Sequence, residues 1–184
     1  MSVQRRYDRV AMALHWVMAA TLLGLLVMGF VMTSLKPGSP LQFQLYQWHK
    51  SVGVTVFALA LLRLGWRLCH IPPPLPAEMA AGERLLAHAG HWVLYGLMLG
   101  MPLVGWAVVS TSPYNIATIL YGLVPLPHLP LPRAVNGAAK LAHEAGAWAM
   151  IVTVAGHFGA ALRHHFWLRD DVLARMLPRF GRKI

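Results

Sequence analysis

The chain has 184 residues, of which 57% are hydrophobic and only 12% charged. An ordinary soluble domain carries about 25% charged residues, so this balance excludes a conventional water-soluble core and points to one membrane-embedded unit. The net charge of +10 would suit nucleic acid, but its placement argues against that partner. Twelve of the sixteen Lys and Arg fall in three clusters: Arg5, Arg6 and Arg9; Arg63, Arg67 and Arg84; and Arg163, Arg169, Arg175, Arg179, Arg182 and Lys183. The remaining connections hold only Lys36, Lys50, Arg133 and Lys140. Such alternation is the positive-inside pattern, and it places both termini and the middle connection in the cytoplasm.

The first apolar run, Val10 to Leu35, contains no Asp, Glu, Lys or Arg. It is long enough to cross a hydrocarbon layer about 30 Å thick. It is too long for a signal-peptide core and lacks an evident cleavage site, so it reads as a retained helix. Pro37-Gly38-Ser39-Pro40 ends it with a turn. The second span runs from about Tyr46 to Cys69, with Lys50, Arg63 and Arg67 snorkelling to the interfaces. Ile71 to Pro76 is a stiff, proline-rich connector. A third span covers about 83–110, with a kink expected at Pro102, and a fourth about 138–166. Helix four is rich in Gly and Ala (Gly146, Gly156, Gly159, Ala160, Ala161), which permits close approach of a backbone or a flat macrocycle. Between spans three and four, Tyr114 to Leu131 is apolar but carries Pro125, Pro127 and Pro130. It reads as an interfacial or re-entrant segment, since a fifth crossing would put the basic carboxyl tail on the wrong side. The fold expected is all-α: a four-helix membrane bundle over 1–184, with both termini inside.

Of the ten histidines, four lie within these spans at matching depths. An ionisable side chain inside a membrane span is costly and by default functional. His15 is six residues inside Arg9 and His157 six residues before Arg163, so both belong near the cytoplasmic boundary. His49 adjoins Lys50 and His143 follows Lys140 by three residues, so both belong near the opposite face. His143 and His157 share one helix, fourteen residues apart, which separates them by roughly 21 Å and returns them to nearly the same face. Two imidazoles facing each other at each depth are a standard way to hold haem iron between helices. With both axial positions filled, such a centre favours electron transfer over oxygen binding. His88 and His91 lie four and seven residues after Arg84, and spacing alone leaves either open as a partner of His15. A quinone-headgroup or proton-relay role is the other option for them.

Cys69 is the sole cysteine, so an internal disulfide is excluded, as is covalent haem attachment through C-x-x-C-H. Lys50, Lys140, Arg9 and Arg163 flank the paired histidines and are candidates to neutralise haem propionates. Glu144, beside His143, is the only acidic residue at that depth and reads as solvated. His70, His128, His164 and His165 take connector or interfacial positions and no cofactor role. The seven tryptophans read as interfacial anchors, with Trp16 and Trp48 also beside candidate ligands. A haem-free His-relay transporter is disfavoured because intramembrane carboxylates are missing. A haem-bearing anchor subunit of a larger dehydrogenase or hydrogenase-type complex remains an alternative.

Several stretches together carry a family resemblance. They are Tyr7-Asp8-Arg9 leading into Ala13-Leu14-His15-Trp16, then Trp48-His49-Lys50-Ser51-Val52-Gly53, Leu86-Ala87-His88-Ala89-Gly90-His91, His143-Glu144 with Gly146, Gly156-His157, and the tail from His164 to Pro178. At these residues the chain resembles the bacterial di-haem cytochrome b561 family over essentially its whole length. The resemblance implies a multi-pass protein of the bacterial inner membrane, in contact with lipid and holding two non-covalent b haems. It implies His15 and His157 as iron ligands of the cytoplasmic-side haem and His49 and His143 as those of the periplasmic-side haem. That leaves His88 and His91 as possible quinone contacts, with ubiquinone as acceptor. It further implies electron exchange with quinone and, for some members, superoxide oxidation at the outer face. A redox partner protein and an oligomer are both compatible with the sequence.

Overall fold

Asp8 starts the bundle. Its Oδ1 accepts from the Ala11 amide at 2.8 Å, capping α1 (Arg9–Ser34), while its Oδ2 accepts from Trp66 Nε1 at 3.1 Å. One carboxylate therefore satisfies an orphan helix amide and ties the start of α1 to the end of α2. In this computed structural model the described residues are 6–76 and 78–177. Arg5, Pro178, Arg179, Arg182 and Lys183 of the sequence analysis lie outside them.

The chain turns at Gly38, whose φ of +77° is open to glycine, and enters α2 (Pro40–Cys69) through Ser39. Ser39 Oγ accepts from the Gln42 amide at 3.3 Å, and Pro40 occupies the first helical position. The helix thus begins six residues before the expected Tyr46, because Ser39-Pro40 is a helix start as well as the end of a turn. Gln42 closes the connection: its Oε1 accepts from Gly38 N at 2.9 Å and its Nε2 donates to Met32 O at 3.1 Å. After the proline connector, α3 (Ala81–Ser110) runs through Pro102 without interruption, and α4 covers Asn136–Arg163. Asn136 Nδ2 donates to Val108 O and Thr111 Oγ1, each at 3.0 Å, fastening the start of α4 to the end of α3.

The α3–α4 connection is not wholly irregular. Thr118–Leu120 (β1) pairs antiparallel with Val124–Leu126 (β2), joined through Tyr121 and Gly122 at φ +52° and +73°. Two successive left-handed residues match the turn that suits the strand twist of a tight hairpin. Pro125 is accommodated because a two-stranded sheet has free edges. The hairpin folds back on α2. Tyr121 N donates to Ser51 Oγ at 2.9 Å, the Tyr121 hydroxyl meets Thr55 Oγ1 at 2.5 Å, and Gln47 bonds Ala117 O and Ile119 N. Apolar content suggested a segment near the membrane, but the period-two signal was too short to show strands.

Helices pack on their sequence neighbours, α1 on α2, α2 on α3 and α3 on α4. Longer side chains bridge α1 to α4, among them Phe30 and Trp148 at 5.9 Å between ring centres. At mid-depth one cluster from all four helices forms the core: Met18, Leu22, Val56, Ala60, Tyr95, Met98 and Met150. All four helices are long and apolar enough to cross a membrane, and large apolar side chains such as Val27, Leu62, Val93 and Val152 face outward. That arrangement suits lipid rather than water.

Asp8 titrates below the ordinary aspartate range: burial pushes it up, but the donors at Ala11, Trp66 and Val10 outweigh that. Asp8→Ala is expected to lower stability by about 0.5–2 kcal/mol, read as thermal unfolding in detergent. Because the folded value is depressed, this contribution is present above the unfolded value of about 3.9 and is lost as pH falls through the folded one. Wild type and Asp8→Ala should therefore converge in acid; a gap that stays constant with pH would refute the carboxylate's role.

Candidate haem sites

Two histidine pairs stand at opposite ends of the bundle. At the end that carries both described chain ends, His15 of α1 faces His157 of α4 with ring centres 6.2 Å apart and planes at 61°. At the hairpin end, His49 of α2 faces His143 of α4 at 6.3 Å and 74°. Met150 lies seven residues from each α4 histidine, so the buried core separates the pairs. The near-equal spacing has chemical content. Imidazoles bound to opposite sides of one metal, at about 2.0–2.1 Å per bond, place their ring centres roughly 6 Å apart.

The surroundings fit the same chemistry. Nδ1 of His15 is buried without a hydrogen-bond partner, which is uncommon for a structural histidine, while the backbone of Leu25 stands against His49 and that of Met101 against His143. Glycines make room for two of the rings. A Cβ on Gly29 of α1 would come to 3.5 Å from His49 Cε1, and one on Gly105 of α3 to 3.1 Å from His143 Cε1. The second distance is closer than side chains normally tolerate, so Gly105 fixes where His143 can sit. Neither glycine was singled out by the sequence, since nothing local marks which helix will face a given histidine.

His91 joins the first pair from the side, its ring 5.4 Å from His157. Beyond it opens a cavity of about 300 Å³, lined among others by Arg67, Arg84, His88, His91 and the prolines of the α2–α3 connector. Its size is at the lower end of small-molecule sites. The carboxyl-terminal segment covers this end. Met176 O accepts from Trp16 Nε1 at 2.8 Å, Tyr7 N donates to Arg175 O at 3.3 Å, and Arg175 reaches both Asp171 and Pro74 O. Trp16 lies edge-on to His15 at 5.2 Å, so the tail helps to seat that ring. At the other end Trp48, next to His49, packs edge-on against Tyr121 of the hairpin at 5.6 Å.

The flanking cations separate. Arg163 pairs with Glu83 across α3 and α4 at 2.7 Å, Arg9 and Lys140 are exposed, and Lys50 is half-buried. Glu144 is exposed. His164 is buried and bonded through Nδ1 to Asp170 at 2.5 Å, at the π-turn His164–Leu168 that ends α4. This structural role was not evident from its place beside Arg163.

A lipid-facing four-helix bundle with facing imidazoles at two depths is the arrangement expected of a membrane b-type cytochrome. Comparison with known proteins supplies the family. The prokaryotic cytochrome b561 family matches residues 6–179, and the chain belongs to it. The chain is 31% identical to "Cytochrome b561 homolog 2" of Escherichia coli (strain K12) over 175 residues, covering 95% of this chain and 92% of that protein. It is 27% identical to "Probable superoxide oxidase CybB" of Yersinia pestis, covering 96% and 98%, and 26% identical to "Cytochrome b561 homolog 1" of Escherichia coli, covering 95% and 98%. The protein is thus a multi-pass bacterial membrane protein of electron transport that binds b-type haem.

Gly105→Val is expected to displace His143 and to perturb the reduced haem spectrum. Gly96→Val, on the opposite face of α3 with open space around it, should leave the spectrum unchanged. Equal spectra for the two variants would contradict the close approach.

Proposed function

We propose that the chain is a di-haem b cytochrome that carries single electrons across the bilayer between a periplasmic-side donor and membrane quinone. The observation that carries this reading is the repeat of one histidine arrangement at both ends of α4, at 6.2 and 6.3 Å. In this reading His15 and His157 ligate the cytoplasmic-side haem and His49 and His143 the periplasmic-side haem, with both termini inside. When bound, haem supplies a reversible one-electron change at iron. The chain's own residues do the rest. They fix ring spacing through helix packing and Gly105, exclude water with the apolar core, and cover the two ends with the tail and the hairpin.

Quinone is assigned to the cavity beside His88 and His91, where an imidazole N–H can donate to a quinone carbonyl and Arg67 and Arg84 add positive charge. For the donor, superoxide is the favoured candidate, in line with the name of the Yersinia pestis relative. Lys50, Lys140 and Arg133 would give the outer face a field that steers an anion inward.

The direct test is haem content by pyridine haemochrome with dithionite-reduced spectra. Wild type should hold two b haems per chain, and His143→Ala and His157→Ala should each lose or perturb a different one. Colourless wild type after reconstitution with excess haem would sink the reading, and mutants that keep both haems would move ligation to His88 or His91. For the donor, replacing Lys50 and Lys140 with Gln should slow superoxide-driven haem reduction and flatten its salt dependence. An unchanged, salt-insensitive rate would exclude steering by these lysines.

A further inference from the structure

Arg63 lies inside α2, six residues before its end, in a segment apolar enough to be within the membrane. Its side chain points inward to the junction of all four helices. The guanidinium carbon stands 5.8 Å from the centre of the Tyr95 ring on α3. His15 on α1, His91 on α3 and His157 on α4 are all within electrostatic range of it, as are Tyr7 and Arg67. Among the described residues Arg63 makes no hydrogen bond and no ion pair. Of the acidic groups at this end, Glu78 is exposed on the α2–α3 connector and the others are committed elsewhere. Asp8 lines the same small cavity as Arg63, yet its two oxygens face Ala11 N and Trp66 Nε1. Glu83 pairs with Arg163, Asp170 with His164 and Asp171 with Arg175.

A guanidinium held in an apolar bundle without an anion is strongly unfavourable, and the π face of one tyrosine offsets only part of that cost. The missing partner must be an anion that reaches the junction of His15, His91 and His157. A guanidinium presents a planar fork that matches a carboxylate. We propose that Arg63 is the carboxylate-binding residue of the cytoplasmic-side centre, holding a propionate of the haem assigned to His15 and His157, with Tyr95 fixing the guanidinium plane. Of the cations near this pair, Arg163 is already paired, Arg9 is exposed and Arg67 lines the cavity at His88 and His91, which leaves Arg63, held over Tyr95, as the one placed to do this. The proposal rests on the di-haem reading.

The test is optical redox potentiometry of the purified protein, together with the rate at which haem passes to excess apomyoglobin. His157→Ala identifies which haem belongs to the inner pair. Arg63→Gln should lower the midpoint potential of that haem only, because loss of a nearby positive charge favours the oxidised iron. It should also speed release of that haem roughly 10- to 100-fold, as expected for loss of a charged hydrogen-bonded contact. Arg63→Lys should restore the midpoint but not the slow release; if Arg63→Gln fails to assemble, Lys decides through release alone. Wild-type midpoints and release in these variants would overturn the proposal, as would equal shifts of both haems. Altered quinone turnover with unchanged midpoint and release would overturn it in favour of a quinone contact, and altered vesicle binding alone in favour of a lipid phosphate. A wild type with one haem, or His157→Ala retaining two, would instead sink the di-haem reading itself.

Discussion

An imidazole nitrogen buried among aliphatic side chains has to find a partner, because no water reaches it inside the hydrocarbon layer. In this bundle the partner of each buried imidazole is placed by a single helix. α4 presents His143 and His157 fourteen residues apart, a spacing of roughly 21 Å that brings both to nearly one face. α1 and α2 run alongside, and each supplies one facing ring, at 6.2 and 6.3 Å. Everything else in the fold either holds those four rings at their depths or keeps water from them.

The core between the pairs is built from Met18, Leu22, Val56, Ala60, Tyr95, Met98 and Met150. Flexible methionine side chains pack irregular space well, which suits a bundle whose helices must stand apart at two levels and meet between them. The ends are closed by different means. Tyr7, Trp16, Arg175 and Met176 knit the amino-terminal approach to the carboxyl tail. At the other end a β-hairpin reaches over α2 through Ser51, Thr55 and Gln47. The first closure relies mainly on backbone carbonyls as acceptors, and the second on hydroxyls together with the Gln47 carboxamide.

Much of this was legible in the sequence because it depends on periodicity and on cost. Span number followed from charge-free runs such as Val10 to Leu35, and depth from the distance of each histidine to the nearest cation. What the sequence hid depends on which surfaces meet. Gly105 looks like any glycine in a membrane helix until α4 sets His143 against it. Arg63 looks like one more topology-setting charge until its guanidinium is found over the Tyr95 ring of α3, within electrostatic range of His15, His91 and His157. The hairpin was concealed by its length: two three-residue strands give no usable alternation, and Pro125 argues locally against one of them. Ser39-Pro40 was legible but was read only as the end of a turn.

On the proposed reading, the two histidine pairs mark two stations on one electron path across the membrane. The most direct measurement reconstitutes the protein in liposomes that enclose ferricyanide, adds a membrane-impermeant reductant outside, and follows the internal acceptor. Reduction of trapped ferricyanide is expected in proportion to protein, abolished by His143→Ala and equally by His157→Ala. Transfer that survives loss of either pair, or no transfer by fully haem-loaded wild type, would contradict that reading.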